Sequence, residues 1–317
     1  MISRPLYGFI PLLGSPSIVV PNGSTPLQRL LIATDLSTRS VRALHRGIAL
    51  ARHFGAEATL LHVVEADQPT VVVHEELAQI QRALDDEIAQ DLDLAGVRLA
   101  IRVVPGAAFQ TIVDEAQALR AELVVMGAHR RNLLRDVFVG TTVERVIRTG
   151  SLPVLMVNVE GTAPYQRVVA AVDFSQASLR ALRAAHEPGL LRGARLIALH
   201  AFVPLAKGAM SYAGVEQEQI RDHVEQSAAA AATRLGATLA GIDLGATPCE
   251  TRVLEGAPSE VIRRACDAAP ADLLVIGTRG ATGLRRVLLG SVADEALRNA
   301  ACDVLAVPPT WEGAVRD

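Results

Sequence analysis

The sequence predicts an α/β protein made of two repeated doubly wound domains, each with a five-stranded parallel sheet in the order 3-2-1-4-5. Three observations lead there. Segments recur at a fixed spacing, short Val/Leu/Ile runs alternate with helical patterns, and a chain that is 50% hydrophobic carries only 3% aromatic residues. Cores of Ala, Val, Leu and Ile suit helices packed on buried parallel strands.

The repeat organises everything else. Leu30-Leu-Ile-Ala-Thr-Asp35-Leu-Ser37 returns as Val168-Val-Ala-Ala-Val-Asp173-Phe-Ser175, and Leu61-His62-Val63 returns as Leu199-His200-Ala201, both 138 residues on. Leu123-Val-Val-Met-Gly127 matches Leu273-Leu-Val-Ile-Gly277, and Gly140-Thr141 matches Gly290-Ser291, both at an offset of 150. The second copy has therefore gained 12 residues between His200 and Gly256. The Ala-rich stretch Val215–Leu239 is expected to absorb them as a longer amphipathic helix than its counterpart near His74–Leu94.

Five strands are expected in each copy, those of the second near 167–172, 195–200, 249–254, 272–276 and 303–307. Helices are expected near 177–188, 215–239, 258–268 and 291–300, which gives the βαβ alternation of a parallel sheet. The first copy follows the same scheme and ends in the strand Val154–Val159. Glu160-Gly-Thr-Ala-Pro164 is the turn-rich boundary. This divides the chain into a leader (1–26), a first domain (27–160) and a second domain (161–317). The leader has prolines at 5, 11, 16, 21 and 26, which interrupt its apolar run. That run falls far short of the roughly 20 residues a membrane span requires.

Charge excludes other classes. Lys and Arg number 31 against 34 Asp and Glu, a net charge of -3, so the broad basic field of a nucleic-acid binder is missing. Cys249, Cys266 and Cys302 form neither a C-x-x-C pair nor an even set, which points to a reducing, cytoplasmic setting. No spacing suggests a metal centre, a nucleophilic triad or a phosphate loop with its lysine. His62 and His200 close the second strands and read as structural residues satisfied by backbone.

The informative segment is Gly277-Thr278-Arg279-Gly280, followed by Gly290-Ser291-Val292 directly after an apolar strand and before a helix. Glycines allow close backbone approach and positive φ, and a helix N-terminus presents amides to an anion. The same residues also fit a plain tight turn with Ser291 as N-cap, and Thr141-Thr-Val-Glu144 is a capping box that requires no ligand. Asp173 closes the first strand of its repeat as Gly277 closes the fourth. In a 3-2-1-4-5 sheet these strands are neighbours at the switch point, so acid and glycine loop face one crevice. Asp173 also fits a turn residue before the helix that starts near Ser175–Ser178.

With these residues in place, the chain resembles the universal stress proteins in their tandem form, over residues about 27 to 310. The family's Gly-x2-Gly-x9-Gly-Ser/Thr pattern is matched by Gly277, Gly280, Gly290 and Ser291. The resemblance implies a Rossmann-like fold of the adenine nucleotide α-hydrolase-like group that binds ATP, ADP or AMP, with Mg2+ as a candidate companion. It implies that Ala171, Val172, Asp173 and the backbone at Ala201 meet adenine and ribose. Ile276, Gly277, Thr278, Arg279, Gly280, Gly290, Ser291 and Val292 would surround ribose and phosphates.

The first copy offers Asp35, Val63, Gly127, Gly140 and Thr141 as weaker candidates, because Arg130 replaces the middle glycine. That side chain crowds the backbone approach, or else turns its guanidinium to phosphate. The expectation is therefore an ATP-binding regulatory protein with little or no turnover, one nucleotide per chain, and no nucleic-acid or membrane partner. Resemblance to the family's dimers implies that the last strands, Val154–Val159 and Val304–Val307, pair across the two domains, and a homodimer is a further candidate. The alternatives are a nucleotide-independent interaction scaffold or an adenylylating enzyme. The latter lacks its Ser-Gly-Gly-x-Asp-Ser loop at Ala171-Val-Asp-Phe-Ser175.

Overall fold

In a computed structural model of the chain, the structure describes residues 26–65, 70–90, 96–128, 141–268, 270–279 and 289–313. The leader before Pro26, the Arg130 and Gly140 positions, and Gly280 with the basic residues Arg285 and Arg286 lie outside the described residues. The first domain runs β1 (Arg29–Thr34), α1 (Thr38–Phe54), β2 (Glu57–Val64), α2 (Thr70–Gln90), β3 (Arg98–Pro105), α3 (Ala108–Ala118), β4 (Leu123–Gly127), α4 (Thr142–Thr149) and β5 (Val154–Val157). The second runs β6 (Arg167–Ala171), α5 (Gln176–His186), β7 (Arg195–Phe202), α6 (Leu205–Tyr212), α7 (Gln217–Ala240), β8 (Cys249–Glu255), α8 (Pro258–Ala268), β9 (Leu273–Gly277), α9 (Ser291–Asn299) and β10 (Asp303–Val307).

All ten strands join one sheet in the order β3-β2-β1-β4-β5-β10-β9-β6-β7-β8. Each half reads 3-2-1-4-5, parallel throughout, and the halves meet where β5 and β10 pair antiparallel. The pairs at that seam are Val304 with Met156, Leu305 with Leu155 and Ala306 with Val154. Leu155 and Leu305 are equivalent residues of the repeat, so the pseudo-twofold axis passes through their pair. Both are fully buried.

Alternation along the strands splits the core into two layers. Leu30 and Ile32 of β1, with Leu305 and Val307 of β10, face Ala43 and Ile48 of α1, Leu84 of α2, Ala181 of α5 and Leu235 of α7. Leu31 and Ala33, with Val304 and Ala306, face Ile112 of α3, Val143 of α4, Val261 of α8 and Ala293 of α9. Each layer runs under both domains without a break.

The expected last strand of the first domain stops two residues early, at Val157. Beyond it, the Asn158 and Val159 amides turn to donate to Asp303 Oδ1 at 2.9 and 3.2 Å rather than to a strand. The insertion also differs from expectation. α7 has 24 residues against 21 in α2, and most of the extra chain forms the separate helix α6. Only Ile220, Leu235 and Leu239 of α7 are buried, so apolar periodicity marks this helix weakly.

A buried polar cluster ties the seam to the linker. Asp303, completely buried, accepts from Asn158, Val159 and the Tyr165 hydroxyl, the last at 2.8 Å. The Arg46 guanidinium from α1 lies 3.2 Å from its other side and stacks 4.6 Å over the Tyr165 ring. Burial pushes the Asp303 carboxyl above the usual aspartate range, against the opposing pull of Arg46 and the hydrogen bonds.

Removing the carboxylate strands a buried guanidinium and three donors, so Asp303→Ala is expected to cost about 3–5 kcal/mol. Removing the exposed Arg263–Asp267 pair is expected to cost under about 1 kcal/mol. Urea denaturation compares them, and equal losses refute the special weight given to the cluster. A raised folded-state pKa means that the carboxyl's share of stability is complete below the ordinary aspartate value and is lost as pH rises through the raised one. The stability margin of the wild type over Asp303→Asn should therefore shrink from about pH 4 towards neutrality. A margin that widens over that interval contradicts the assignment.

Candidate functional site

Parallel register places the sequence-predicted residues at one height. Ala171 pairs with Leu199 and Ala170 with Val275, so two and three residues further on Asp173, Ala201 and Thr278 stand together at the carboxyl edge of β7, β6 and β9. The strand order reverses between β6 and β9, the switch point where a crevice opens. The Val172 amide still donates to Leu199 at 2.8 Å, and the chain leaves the sheet at Asp173.

Asp173 Oδ1 accepts from the Ser175 amide at 3.0 Å and from the Ser175 hydroxyl. Ser175 is the N-cap of α5, its hydroxyl accepting from the Ser178 amide at 3.2 Å. Asp173 is thus a turn residue before α5 as well as a crevice residue. Phe174 between them has φ +63, the left-handed region that a bulky side chain avoids at a cost of about 1–3 kcal/mol. Leu36 repeats this at φ +59 in the first domain. There, hydrogen bonds from Ser37 and Ser40 and the Arg39 charge outweigh the upward push of burial and hold the Asp35 carboxyl below its ordinary value.

The left-handed turn aims Phe174 across the crevice, where its ring lies 4.3 Å from that of His200 and under the Arg234 guanidinium of α7 at 4.1 Å. This stacked wall was not expected. Its only sequence signal is that Phe174 is one of six phenylalanines in the chain. His200 Nδ1 lies 2.7 Å from the Val172 carbonyl and His62 Nδ1 2.9 Å from that of Thr34, the structural role expected of both. Each sits two residues inside its strand rather than at the end.

On the other wall, Ile276 is buried and Gly277 ends β9. A Cβ on Gly277 would lie 2.8 Å from the Ala177 carbonyl group and 3.0 Å from the Ser178 amide, and one on Gly127 would lie 2.7 Å from Arg39 O. These glycines are needed because the first helix of each domain crosses the strand end in backbone contact. Thr278 is buried, its amide donating to Val307 at 2.9 Å, and its carbonyl accepts from the Gly290 amide at 2.9 Å, which brings the two ends of the loop together. Arg279 is half-buried and has an interaction partner.

The two helices that follow the loops start differently. In α4, Thr141 is the N-cap, its hydroxyl accepting from Glu144 N while Glu144 accepts from Thr141 N, both at 3.2 Å. In α9 the N-cap is Gly290, not Ser291, and no side chain caps it. Ser291 is exposed as the first helical residue, with Val292 half-buried behind it. Asp294, at the place of Glu144, points its carboxylate to Arg298 at 3.0 Å. Val63 lies level with Asp35 on β2, so the first domain assembles the same edge around a helix end that is already satisfied.

Among the described residues no cluster of His, Cys, Asp and Glu can hold a metal ion, and no helix is long and apolar enough to cross a membrane.

A doubly wound sheet with an acid-bearing turn and a strand-ending glycine at each switch point defines a two-domain α/β protein. The chain belongs to the universal stress protein family, whose sequence profile matches residues 26–158 and 164–308. A universal stress protein of Methanocaldococcus jannaschii is 51% identical over 147 residues, 44% of this chain and 86% of that protein. One from Mycolicibacterium smegmatis is 24% identical over 301 residues, 88% of this chain and 97% of that protein. The crystal structure of a universal stress protein from Archaeoglobus fulgidus shares the fold, with a TM-score of 0.61 at 19% identity over 89% of this chain and 98% of that one.

Gly277→Ala and Gly127→Ala, which force a methyl against helix backbone, should each lose about 1–3 kcal/mol. Gly236→Ala in α7, where nothing lies within 4 Å, should gain about 0.5–1 kcal/mol. Thermal unfolding distinguishes them, and a neutral Gly277→Ala would remove the packing argument.

Proposed function

We propose that this chain is an adenine-nucleotide-binding regulatory protein that holds one ATP, ADP or AMP in the second domain and turns it over slowly or not at all. The observation that carries the reading is the uncapped start of α9 beside Asp173. An unsatisfied helix N-terminus attracts phosphate through its amides and dipole. At α4 those amides are occupied by Thr141 and Glu144, whose carboxylate also lies 3.5 Å from Arg298. At α9 the corresponding acid is neutralised by Arg298.

In this reading Ala171, Val172, Asp173 and Ala201 take adenine and ribose. Ile276, Gly277, Thr278, Arg279, Gly280, Gly290, Ser291 and Val292 take ribose and phosphates, with Mg2+ as an optional companion. Among the described residues no general base is placed at the site, which supports binding without efficient hydrolysis. Asp35, Val63, Gly127, Gly140 and Thr141 belong to a first domain that serves as a scaffold, the role its closed helix cap favours. The three free cysteines fit a reducing cytoplasm.

Mass spectrometry of gently purified protein should find one nucleotide per chain. ATP titration should show at least about tenfold weaker binding for Gly280→Arg, equivalent to about 1.4 kcal/mol. Equal affinity for the two proteins would sink the site, and turnover of about 1 per second or faster would sink the regulatory reading.

A further inference from the structure

A cavity of about 330 Å³ lies on the seam between the domains, away from both crevices. Its walls come from the last two turns of α1, the linker at 162–165 and the turn after α5 at 189–192. These sit at the end of α1 and α5 opposite the carboxyl edge, so the cavity shares no residue with the proposed nucleotide site. Phe54, Tyr165 and Leu190 give it an apolar floor, while Arg46, Arg52 and Arg192 supply positive charge beside the His53 ring, and among the described residues no acid lines it.

Most of those cations have an ordinary explanation, and Arg192 does not. Arg46 is matched by Asp303 and donates to the Ala163 carbonyl at 2.7 Å. Arg52 and His53 lie in the last turn of α1, where about half a negative charge from the helix dipole favours cations. The end of α5 has its own basic residues, Arg183 and His186. Arg192 lies in a turn outside any helix, and its Nη2 is buried without a hydrogen-bond partner. Leaving a charged donor buried and unmatched costs more than about 1–3 kcal/mol, a cost that an acceptor placed at Arg192 recovers.

We infer that this seam cavity is an oxyanion site, selective for a phosphate group carried on a small apolar or aryl body. The guanidinium fork of Arg192 supplies paired donors suited to phosphate oxygens. Arg52 adds field, and the Phe54 and Tyr165 rings contact the body. The volume lies at the low end for small-molecule sites. Because the walls come from both domains and the linker, an occupant joins them, and its binding should stabilise the seam by mass action.

The test is calorimetric titration of the full chain with phenyl phosphate, inorganic phosphate and phenol. The wild type should bind phenyl phosphate saturably, and phenol should not bind. Tighter binding of phenyl phosphate than of phosphate identifies an organic phosphate, whereas equal binding identifies free phosphate. Arg192→Met should weaken binding at least about tenfold, with Arg192→Lys intermediate. Gly280→Arg should leave it unchanged, which separates this site from the crevice. A measurement on the unmutated protein guards against misfolding of the variant: phenyl phosphate should slow phenylglyoxal modification of Arg192, read by peptide mass mapping. No saturable binding, binding indifferent to Arg192→Met, or unprotected Arg192 overturns the proposal.

Discussion

Asp303 is the constraint on which the rest of the molecule depends. It stands where the antiparallel seam begins and gathers the amides that leave β5, the hydroxyl of the linker tyrosine and the guanidinium of α1. An antiparallel apolar pair of short strands has weak register on its own, since Val, Leu and Ala can slide past one another. A buried carboxylate on one strand that satisfies the amides leaving the other removes that freedom, because any slip leaves charge and amides unmatched. The symmetry of the repeat is broken here by chemistry. The residues equivalent to Arg46 and Asp303 are Ala184 and Pro153, so the cluster exists once and not twice.

With the seam fixed, the same fold produces two electrostatically different crevices. Each has an acid-bearing turn, a strand-ending glycine in backbone contact with the first helix, and a helix starting at the far end of the loop. The difference is a few atoms at a helix terminus. Threonine and glutamate close one end, whereas glycine and serine leave the other open, with the nearby aspartate drawn off by Arg298. Small residue changes at equivalent positions of the repeat thus separate a closed helix end from an open one.

Much of this was legible in the sequence, for definable reasons. Strands are runs of four to eight residues between turn signals, and the repeat doubles the evidence for each, so strand order follows from topology rules, whereas the β5–β10 pairing was implied by the family resemblance. Asp173 and Gly277 converge because the strand order forces their ends together. What was not legible depends on contacts between distant residues. Arg234 meeting Phe174, and Arg46 meeting Asp303, leave no local pattern. The short helix α6 was hidden because the extra residues resemble a continuation of the Ala-rich helix after them. Cys266 and Cys302, unpaired by spacing, come together through a sulfur hydrogen bond that depresses the Cys266 pKa and raises that of Cys302, helped by burial.

The antiparallel joint of β5 and β10 has a consequence for how the protein behaves in a cell. Two separate chains meeting at such a joint would part on dilution, and any property needing both would follow protein concentration. A tether of the length of residues 158–166 holds the partners at an effective concentration of about millimolar. The joint therefore stays closed at any expression level, and the residues of one half can diverge from those of the other without loss of the pairing.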